Sequence, residues 1–413
     1  MLTCAGCSCL CDDIEAVVDG KEIKEVRNAC RIGADLFLDY NMNRASCAVD
    51  GEVVEMDKAM ESAIGILRDA KKPFIYGLDS STIESQRLGV KIAKKVGAAI
   101  DSSSSFRQGA VMEKIFSKEI KTCTLDDVRN NADLILYWGS DPSNSHPRHM
   151  SRYTYFPRGE RRLKGWETER KTITIDVRKS STAIVGKNNF TILPGRDADF
   201  ISDIMIALDG KVPSTSVGIE EKKIIGLADR LKNAEYGIIF TGMGLLSSLN
   251  GNISLLEDLL LKLNEFTEFY IIPMIHPVGA IGLDKILFDE TGYTGKVMFD
   301  SEGSTVEHED TYSFVEALKN EDMDAALIVG SDPLSTIPYS LSKRLKDIPT
   351  IAIDSKNTPT TEISNVVLPC AKVGIESSGS MLRMDGVEFP IDKIIESEWK
   401  SEEEILNSLT EMI

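Results

Sequence analysis

The sequence lacks any clean apolar run of roughly 18 residues, the length a membrane-crossing helix needs, so no membrane partner is expected. It also opens Met1-Leu2-Thr3-Cys4 without the basic region, apolar stretch and small-residue cleavage site of a secretory leader, and a cytoplasmic location follows as the expectation. Net positive charge is missing too: 47 Lys and Arg against 65 Asp and Glu leave −18, which repels a phosphate backbone and excludes nucleic acid as a partner. A local basic cluster can still grip a small phosphate-bearing molecule. With 4 histidines the chain is too poor for a His-rich metal centre, and His276 and His308 read as packing residues. The acidic stretch from Glu396 to Glu404 reads as the solvated face of a helix.

What is present is a chain of 413 residues, 42% apolar and 27% charged, long enough for two or three packed domains rather than one. Cysteine gives the sharpest signal. Five of the 8 cysteines fall in the first thirty residues, and Cys4, Cys7, Cys9 and Cys11 share one short segment. In a reducing compartment such clustering favours a metal over a disulfide. Cys4, Cys7, Cys11 and Cys30 have the spacing C-x2-C-x3-C-x18-C, which supplies the four thiolates of a [4Fe-4S] cluster and leaves Cys9 as the spare. Structural zinc also accepts four thiolates, but it prefers two paired C-x2-C knuckles and only one exists here. Between Cys11 and Cys30, residues 14–23 alternate around Asp19-Gly20 and predict a β-hairpin that carries Cys30 back to the loop. Cys47, Cys123 and Cys370 read as buried thiols without a role.

Beyond residue 57 short apolar strands ending in glycine alternate with amphipathic helices, and the pattern occurs twice. The first pass has Pro73-Phe74-Ile75-Tyr76-Gly77, a helix to about Val96, and a strand ending Trp138-Gly139-Ser140-Asp141-Pro142. The second has Gly237-Ile238-Ile239-Phe240-Thr241-Gly242, one long helix to about Leu263, and a strand ending Val329-Gly330-Ser331-Asp332-Pro333. Such runs predict an α/β fold of duplicated, doubly wound parallel-sheet domains preceded by a small β-hairpin domain. The domains expected are 1–56, 57–230 and 231–413.

Each Gly-Ser-Asp-Pro lies just past the carboxyl end of a strand, where such folds bind ligands. Glycine lets the backbone approach a phosphate and Asp offers a carboxylate to hydroxyl or amino groups, although either loop alone also suits an ordinary turn. Another strand follows each loop and ends in Asp, Asp176 in the first half and Asp354 in the second, a position that commonly seizes a ribose or base. Leu193-Pro194-Gly195-Arg196-Asp197-Ala198-Asp199 adds a glycine loop at a helix start, which also reads as a plain helix N-terminus with Asp in its first turn. The candidate binding residues are therefore Gly139, Ser140, Asp141, Asp176, Gly195, Asp197, Gly330, Ser331, Asp332 and Asp354.

Taken together, the cysteine set, the duplicated α/β halves and the paired loops resemble the molybdopterin-dinucleotide oxidoreductases, and within them the family of B-type subunits of formylmethanofuran dehydrogenases. The specific marks are Cys4 to Ile14, Asn28-Ala29-Cys30-Arg31, Tyr137 to Pro142 with His146-Pro147-Arg148-His149-Met150-Ser151-Arg152-Tyr153, Phe156-Pro157-Arg158-Gly159, and Val373 to Glu376 with Arg383-Met384-Asp385-Gly386. They run along almost the whole chain. The resemblance implies tungsten or molybdenum held by two molybdopterin guanine dinucleotides, so that both α/β domains bind pterin dinucleotide and residues 1–56 hold the cluster. It further implies reduction of CO2 to formate in the C1 pathway of methanogenesis. The partners implied are an amidohydrolase-like A subunit together with a C-subunit-like chain and ferredoxin-like subunits. In this context the His146 to Met150 segment is expected near the pterin or at a subunit contact.

Departures from the family pattern are equally plain. Where the family places a metal-ligating Cys followed by His and Gly, this chain has Arg107, Gln108 and Gly109. A guanidinium has no lone pair to offer a metal, though it can pair with a phosphate or another anion. No Arg occurs from Phe266 to Asp300, where the family carries a catalytic Arg shortly before Thr291-Gly292-Tyr293, and Ile32 stands where Lys often follows the last cluster cysteine. Three readings therefore stand beside one another: a dehydrogenase subunit whose metal takes its remaining ligand from sulfide, oxide or water; a non-redox scaffold or electron-relay paralogue in a formyltransferase/hydrolase-like complex; and a binding module that keeps the cluster as an electron relay or oxygen sensor without pterin chemistry, against which the paired nucleotide loops argue.

Overall fold

The computed structural model describes residues 1–214, 217–300, 302–303 and 306–413. In chain order the strands are β1 (Glu15–Asp19), β2 (Glu22–Arg27), β3 (Ala48–Val49), β4 (Glu52–Val53), β5 (Pro73–Gly77), β6 (Ala99–Asp101), β7 (Leu134–Trp138), β8 (Lys171–Asp176) and β9 (Asn188–Thr191). There follow β10 (Tyr236–Thr241), β11 (Glu268–Pro273), β12 (Val297–Phe299), β13 (Val306–His308), β14 (Ala325–Val329), β15 (Thr350–Asp354), β16 (Val366–Pro369), β17 (Gly379–Leu382) and β18 (Glu388–Ile391). Strands β1 and β2 form the antiparallel hairpin expected around Asp19-Gly20.

Two compact units emerge, and neither is a contiguous half. One comprises 1–105, 276–383 and 388–413, the other 106–275 and 384–387. The division expected at residues 230 and 231 falls inside the second unit and is corrected accordingly. The reason lies in strand pairing: β5 of the first repeat runs parallel to β14 of the second, and β10 of the second runs parallel to β7 of the first. Each repeat has lent its leading strand to the other's sheet. The strands β5 and β10 carry the same apolar pattern, so local sequence leaves their partners undecided.

In the second unit the sheet is five-stranded and wholly parallel, in the order β11-β10-β7-β8-β9. The chain steps outward from β7 to β9, then returns to the other side of β7, which puts the topological switch point between β7 and β10. Strands β7 and β10 are buried throughout, as a sheet covered on both faces demands. The one long helix expected after β10 is instead two, Met243–Leu249 and Ser254–Asn264, because Asn250 (φ +47°) and Gly251 (φ +82°) turn left-handed between them.

In the first unit nine strands run in the order β13-β12-β6-β5-β14-β15-β16-β3-β4. The inner five, β6 to β16, are parallel, with strand order reversing between β5 and β14, while the flanking pairs are antiparallel. The helices Met56–Asp69, Ile83–Val96 and Glu402–Met412 cover one face with Ala63, Leu67, Val90, Ala93, Ile405 and Leu409. The helix expected across the acidic run from Glu396 begins only at Glu402, where Ser401 caps it with a reciprocal bond to Glu404. Among the described residues no helix is long and apolar enough to cross a membrane.

Candidate functional site

The cysteine segment closes on itself through the backbone. Cys4 N–H donates to the Cys11 carbonyl at 2.9 Å and Leu10 N–H to that of Cys7 at 3.1 Å, with Leu10 in the left-handed region at φ +41°. Cys30 caps the helix Arg31–Leu38, which follows the hairpin and brings the fourth thiol back. Room for sulfur is reserved by glycine: a Cβ on Gly33 would lie 3.1 Å from Cys4 Sγ and one on Gly6 3.3 Å from it. Burial pushes the Cys4 thiol up to about 12, and the nearby thiols of Cys7, Cys11 and Cys30 add to the shift, which registers how closely the four gather.

Cys9, expected to be spare, is fully buried and hydrogen-bonded to Cys7; that bond holds the Cys7 thiol below its usual value and, with burial, lifts that of Cys9. Among the described residues no group of three or more His, Cys, Asp or Glu stands ready to hold a metal ion. Soft donor type is what makes these thiols suitable for a metal; their placement supplies no finished coordination geometry among the described residues. A cavity of about 330 Å³ opens beside this segment, lined by Gly6, Ile32, Ser80, His276, Lys356 and Lys372.

The two Gly-Ser-Asp-Pro loops prove to be the same structure built twice. Gly139 (φ +61°) donates to the Ile175 carbonyl at 2.8 Å, and Gly330 (φ +56°) to that of Ile353 at 2.9 Å. Asp141 Oδ1 accepts from Thr182 N at 3.0 Å and Oγ1 at 2.6 Å; Asp332 Oδ1 accepts from Thr360 N at 3.2 Å and Oγ1 at 2.5 Å. Each Asp therefore ties its loop to the short helix after the next strand. Burial pushes the Asp141 carboxyl up, but the donors Thr182 and Asn144 outweigh it and hold it below the usual carboxylate range. The threonines carry no signal in the sequence, where Thr182 and Thr360 look like ordinary helix-start residues.

The remaining candidates fall at the same sheet edges. Asp176 Oδ1 accepts from Arg178 N at 3.2 Å and Asp354 Oδ1 from Lys356 N at 2.9 Å, so the strand-end acids are also equivalent. Burial raises the Asp354 carboxyl above its ordinary value. Gly195 (φ +74°) has open space where a Cβ would sit, whereas Asp197 is buried and accepts from Trp138 Nε1 at 2.7 Å. Ser140 is buried, with its hydroxyl 3.5 Å from the Phe240 carbonyl, and Ser331 is half-buried. Gly139, Ser140, Asp141, Asp176, Gly195 and Asp197 belong to the second unit, and Gly330, Ser331, Asp332 and Asp354 belong to the first.

Arg107 lies over the Phe106 ring at 5.8 Å, and Gln108 is buried at the start of the helix Gly109–Phe116; neither position presents a thiol. His146 and His149 are buried in the second unit, bonded to the Ile275 carbonyl and to the Tyr137 hydroxyl, and burial holds the His149 imidazole far below its usual value and neutral. Cys370 is buried, while Cys47 and Cys123 are half-buried.

Geometry of this kind, parallel sheets with glycine-turned loops at the carboxyl ends of their strands, defines an α/β protein. No family model matches the chain. It is 32% identical, over 96% of its length and 94% of the relative's, to the B subunit of the tungsten-containing formylmethanofuran dehydrogenase 2 of Methanococcus maripaludis. The protein of the same name from Methanocaldococcus jannaschii is also 32% identical, over 96% of this chain and 93% of that one. The chain belongs to the B-subunit family of formylmethanofuran dehydrogenases. Its fold is shared with a chain of the formyltransferase/hydrolase complex from Methylorubrum extorquens solved with methylofuran, at a TM-score of 0.71 and 20% identity, covering 89% of this chain and 98% of that chain. Acetylene hydratase from Pelobacter acetylenicus shares it at a TM-score of 0.68 and 12% identity, covering 100% of this chain and 70% of that one.

Proposed function

We propose that this chain is the B subunit of a formylmethanofuran dehydrogenase complex, in which it carries a [4Fe-4S] cluster and a tungsten or molybdenum ion held by two pterin guanine dinucleotides. The likeness to tungsten-containing B subunits along 96% of the chain carries the reading. Cys4, Cys7, Cys11 and Cys30 would hold the cluster, with Cys9 outside the ligand set. The loops at Gly139 to Asp141 and Gly330 to Asp332 would each seat one dinucleotide, with Asp176, Gly195, Asp197 and Asp354 around them. When bound, the metal and its pterins supply the two-electron exchange that turns CO2 into formate. The chain's own residues position and enclose: Asp141 and Asp332 fix the loop backbones, and Lys356 and Lys372 face the cavity beside the cysteine segment with a charge that suits an anion. An amidohydrolase-like partner would condense the formate with methanofuran, and ferredoxin-like partners would deliver electrons.

One observation favours a second reading. Arg107 and Gln108 replace the Cys and His of the family pattern, and a structural neighbour belongs to a formyltransferase/hydrolase complex, so the chain suits a non-redox scaffold as well. Elemental analysis of the protein purified anaerobically with its native partners separates the two. Tungsten or molybdenum near one per chain, with iron near four, is the expected result; replacing any of the four ligand cysteines by Ser is expected to abolish the iron, while Cys9→Ser retains it. Iron without tungsten or molybdenum would retire the dehydrogenase reading in favour of the scaffold.

A further inference from the structure

In the first unit the helix Glu402–Met412 stands where Asp197–Leu208 stands in the second. Each comes after the outermost strand of its five parallel ones, Asp197–Leu208 directly after β9 and Glu402–Met412 after β16 with the antiparallel pair β17–β18 between. Each packs beside the helix that enters the switch-point strand and the one that leaves it: Asp197–Leu208 against Glu221–Lys232 and Ser254–Asn264, Glu402–Met412 against Met56–Asp69 and Ile83–Val96. Each begins on an acidic side chain that the fold buries, Asp197 at 4% exposure and Glu402 at 5%.

The two acids differ in what they meet. Asp197 is satisfied by the Trp138 indole N–H at 2.7 Å. Glu402 Oε1 has no hydrogen-bond partner of ordinary geometry, and neither has the buried Ser81 Oγ beside it. Both face the second glycine loop: a Cβ on Gly330 would lie 3.3 Å from Ser81 Oγ and 3.4 Å from Glu402 Oε2. A carboxyl and a hydroxyl thus lie against the one residue of that loop that lacks a side chain. A buried carboxyl with one oxygen left without a hydrogen bond is costly, and such a group persists in a fold when something other than packing uses it. Burial pushes the Glu402 carboxyl up to about 7, with the Ser81 and Ser85 hydroxyls nearby moderating the shift, so hydrogen-bond donors arriving there would restore its ionised form.

We propose that Glu402, with Ser81, contacts the nucleotide seated on the Gly330 to Asp332 loop, its carboxylate accepting hydrogen bonds from an amino or hydroxyl group of that nucleotide. The inference rests on the dinucleotide reading above. Its test uses the intact complex with native partners, comparing wild type, Glu402→Gln, Ser81→Ala and the neighbouring control Glu403→Gln for guanine nucleotide released by acid hydrolysis per chain. Glu402→Gln is expected to retain half the wild-type nucleotide, with the other loop still loaded, Ser81→Ala to lose a smaller share, and Glu403→Gln to lose none. Wild-type nucleotide content in Glu402→Gln overturns the proposal; if that variant fails to assemble, wild-type content in Ser81→Ala overturns it instead. Absence of guanine nucleotide from the wild-type complex overturns the dinucleotide reading itself, and the proposal with it.

Discussion

The loops at Gly139 and Gly330 share dihedrals, backbone partners and an Asp–Thr tie, yet they sit in differently packed switch points. Around Gly139 the backbones are jammed: a Cβ there would come 2.2 Å from Leu245 N and 2.8 Å from Gly244 C. Around Gly330 nothing lies closer than 3.3 Å. The same turn is therefore jammed against backbone in one unit, while in the other it meets only the ends of side chains, which must give by a few tenths of an ångström. Equal local geometry does not imply equal tolerance, since tolerance depends on what crosses the loop from the neighbouring strand.

The largest expected effect would separate the two loops directly. Gly139→Ala forces a side chain into backbone atoms as well as into the left-handed region, and it should prevent the second unit from folding, seen as loss of soluble protein. Gly330→Ala bears mainly the conformational cost of the left-handed region, about 1 to 2 kcal/mol, readable by denaturant unfolding. Equal losses at both positions would break the comparison.

Glu402 should give the next largest effect, through pH. With no nucleotide on the Gly330 loop, its folded carboxyl holds a proton up to about 7 whereas an ordinary Glu releases it near 4.5, so the folded state binds more protons between those values. Stability is then expected to fall as pH rises from about 4.5 to about 7 and to level off above, by at most about 3 kcal/mol from this group. Glu402→Gln should remove that part of the slope, checked by urea unfolding of both proteins across the window; an unchanged slope would mean the carboxyl is not held in its neutral form.

The smallest effect tests the shared part. Thr182→Val and Thr360→Val each delete a hydroxyl that donates to a carboxylate and accepts from a backbone N–H of the loop, that of Ser143 at 3.1 Å or of Leu334 at 3.2 Å, at about 2 kcal/mol apiece. The two losses in thermal unfolding should match within error, because the bonds do.

Legibility in the sequence followed the range of the interaction. The hairpin around Asp19-Gly20, the strands ending at Gly139 and Gly330 and the strand-end acids Asp176 and Asp354 are set by local pattern, and all stand where expected. Which strand lies beside which is decided by packing across long separations, so local pattern hides the exchange of β5 and β10. The break at Asn250-Gly251 is visible as a left-handed pair, but the apolar periodicity around it overrides the signal. Glu402 reads as solvated because Glu402-Glu403-Glu404 looks like a charged face. The contrary signal lies in its spacing, for Ile405, Leu406 and Leu409 follow it at three, four and seven residues and are all buried. For the cysteines expected to hold a cluster the spacing picks out four thiols, while the Cys7–Cys9 bond is decided only by the folded segment.

The exchanged strands also impose an order on synthesis. The second unit's sheet draws only on residues between Leu134 and Pro273, so it can close while the rest of the chain is still being made. Strand β5, made before any of it, has no parallel neighbour on its β14 side until Ala325–Val329 emerges. Through that interval the apolar edge of Phe74, Ile75 and Tyr76 is an open template for pairing with other chains. A nascent chain stalled before residue 325 is thus the form of this protein most in need of a chaperone.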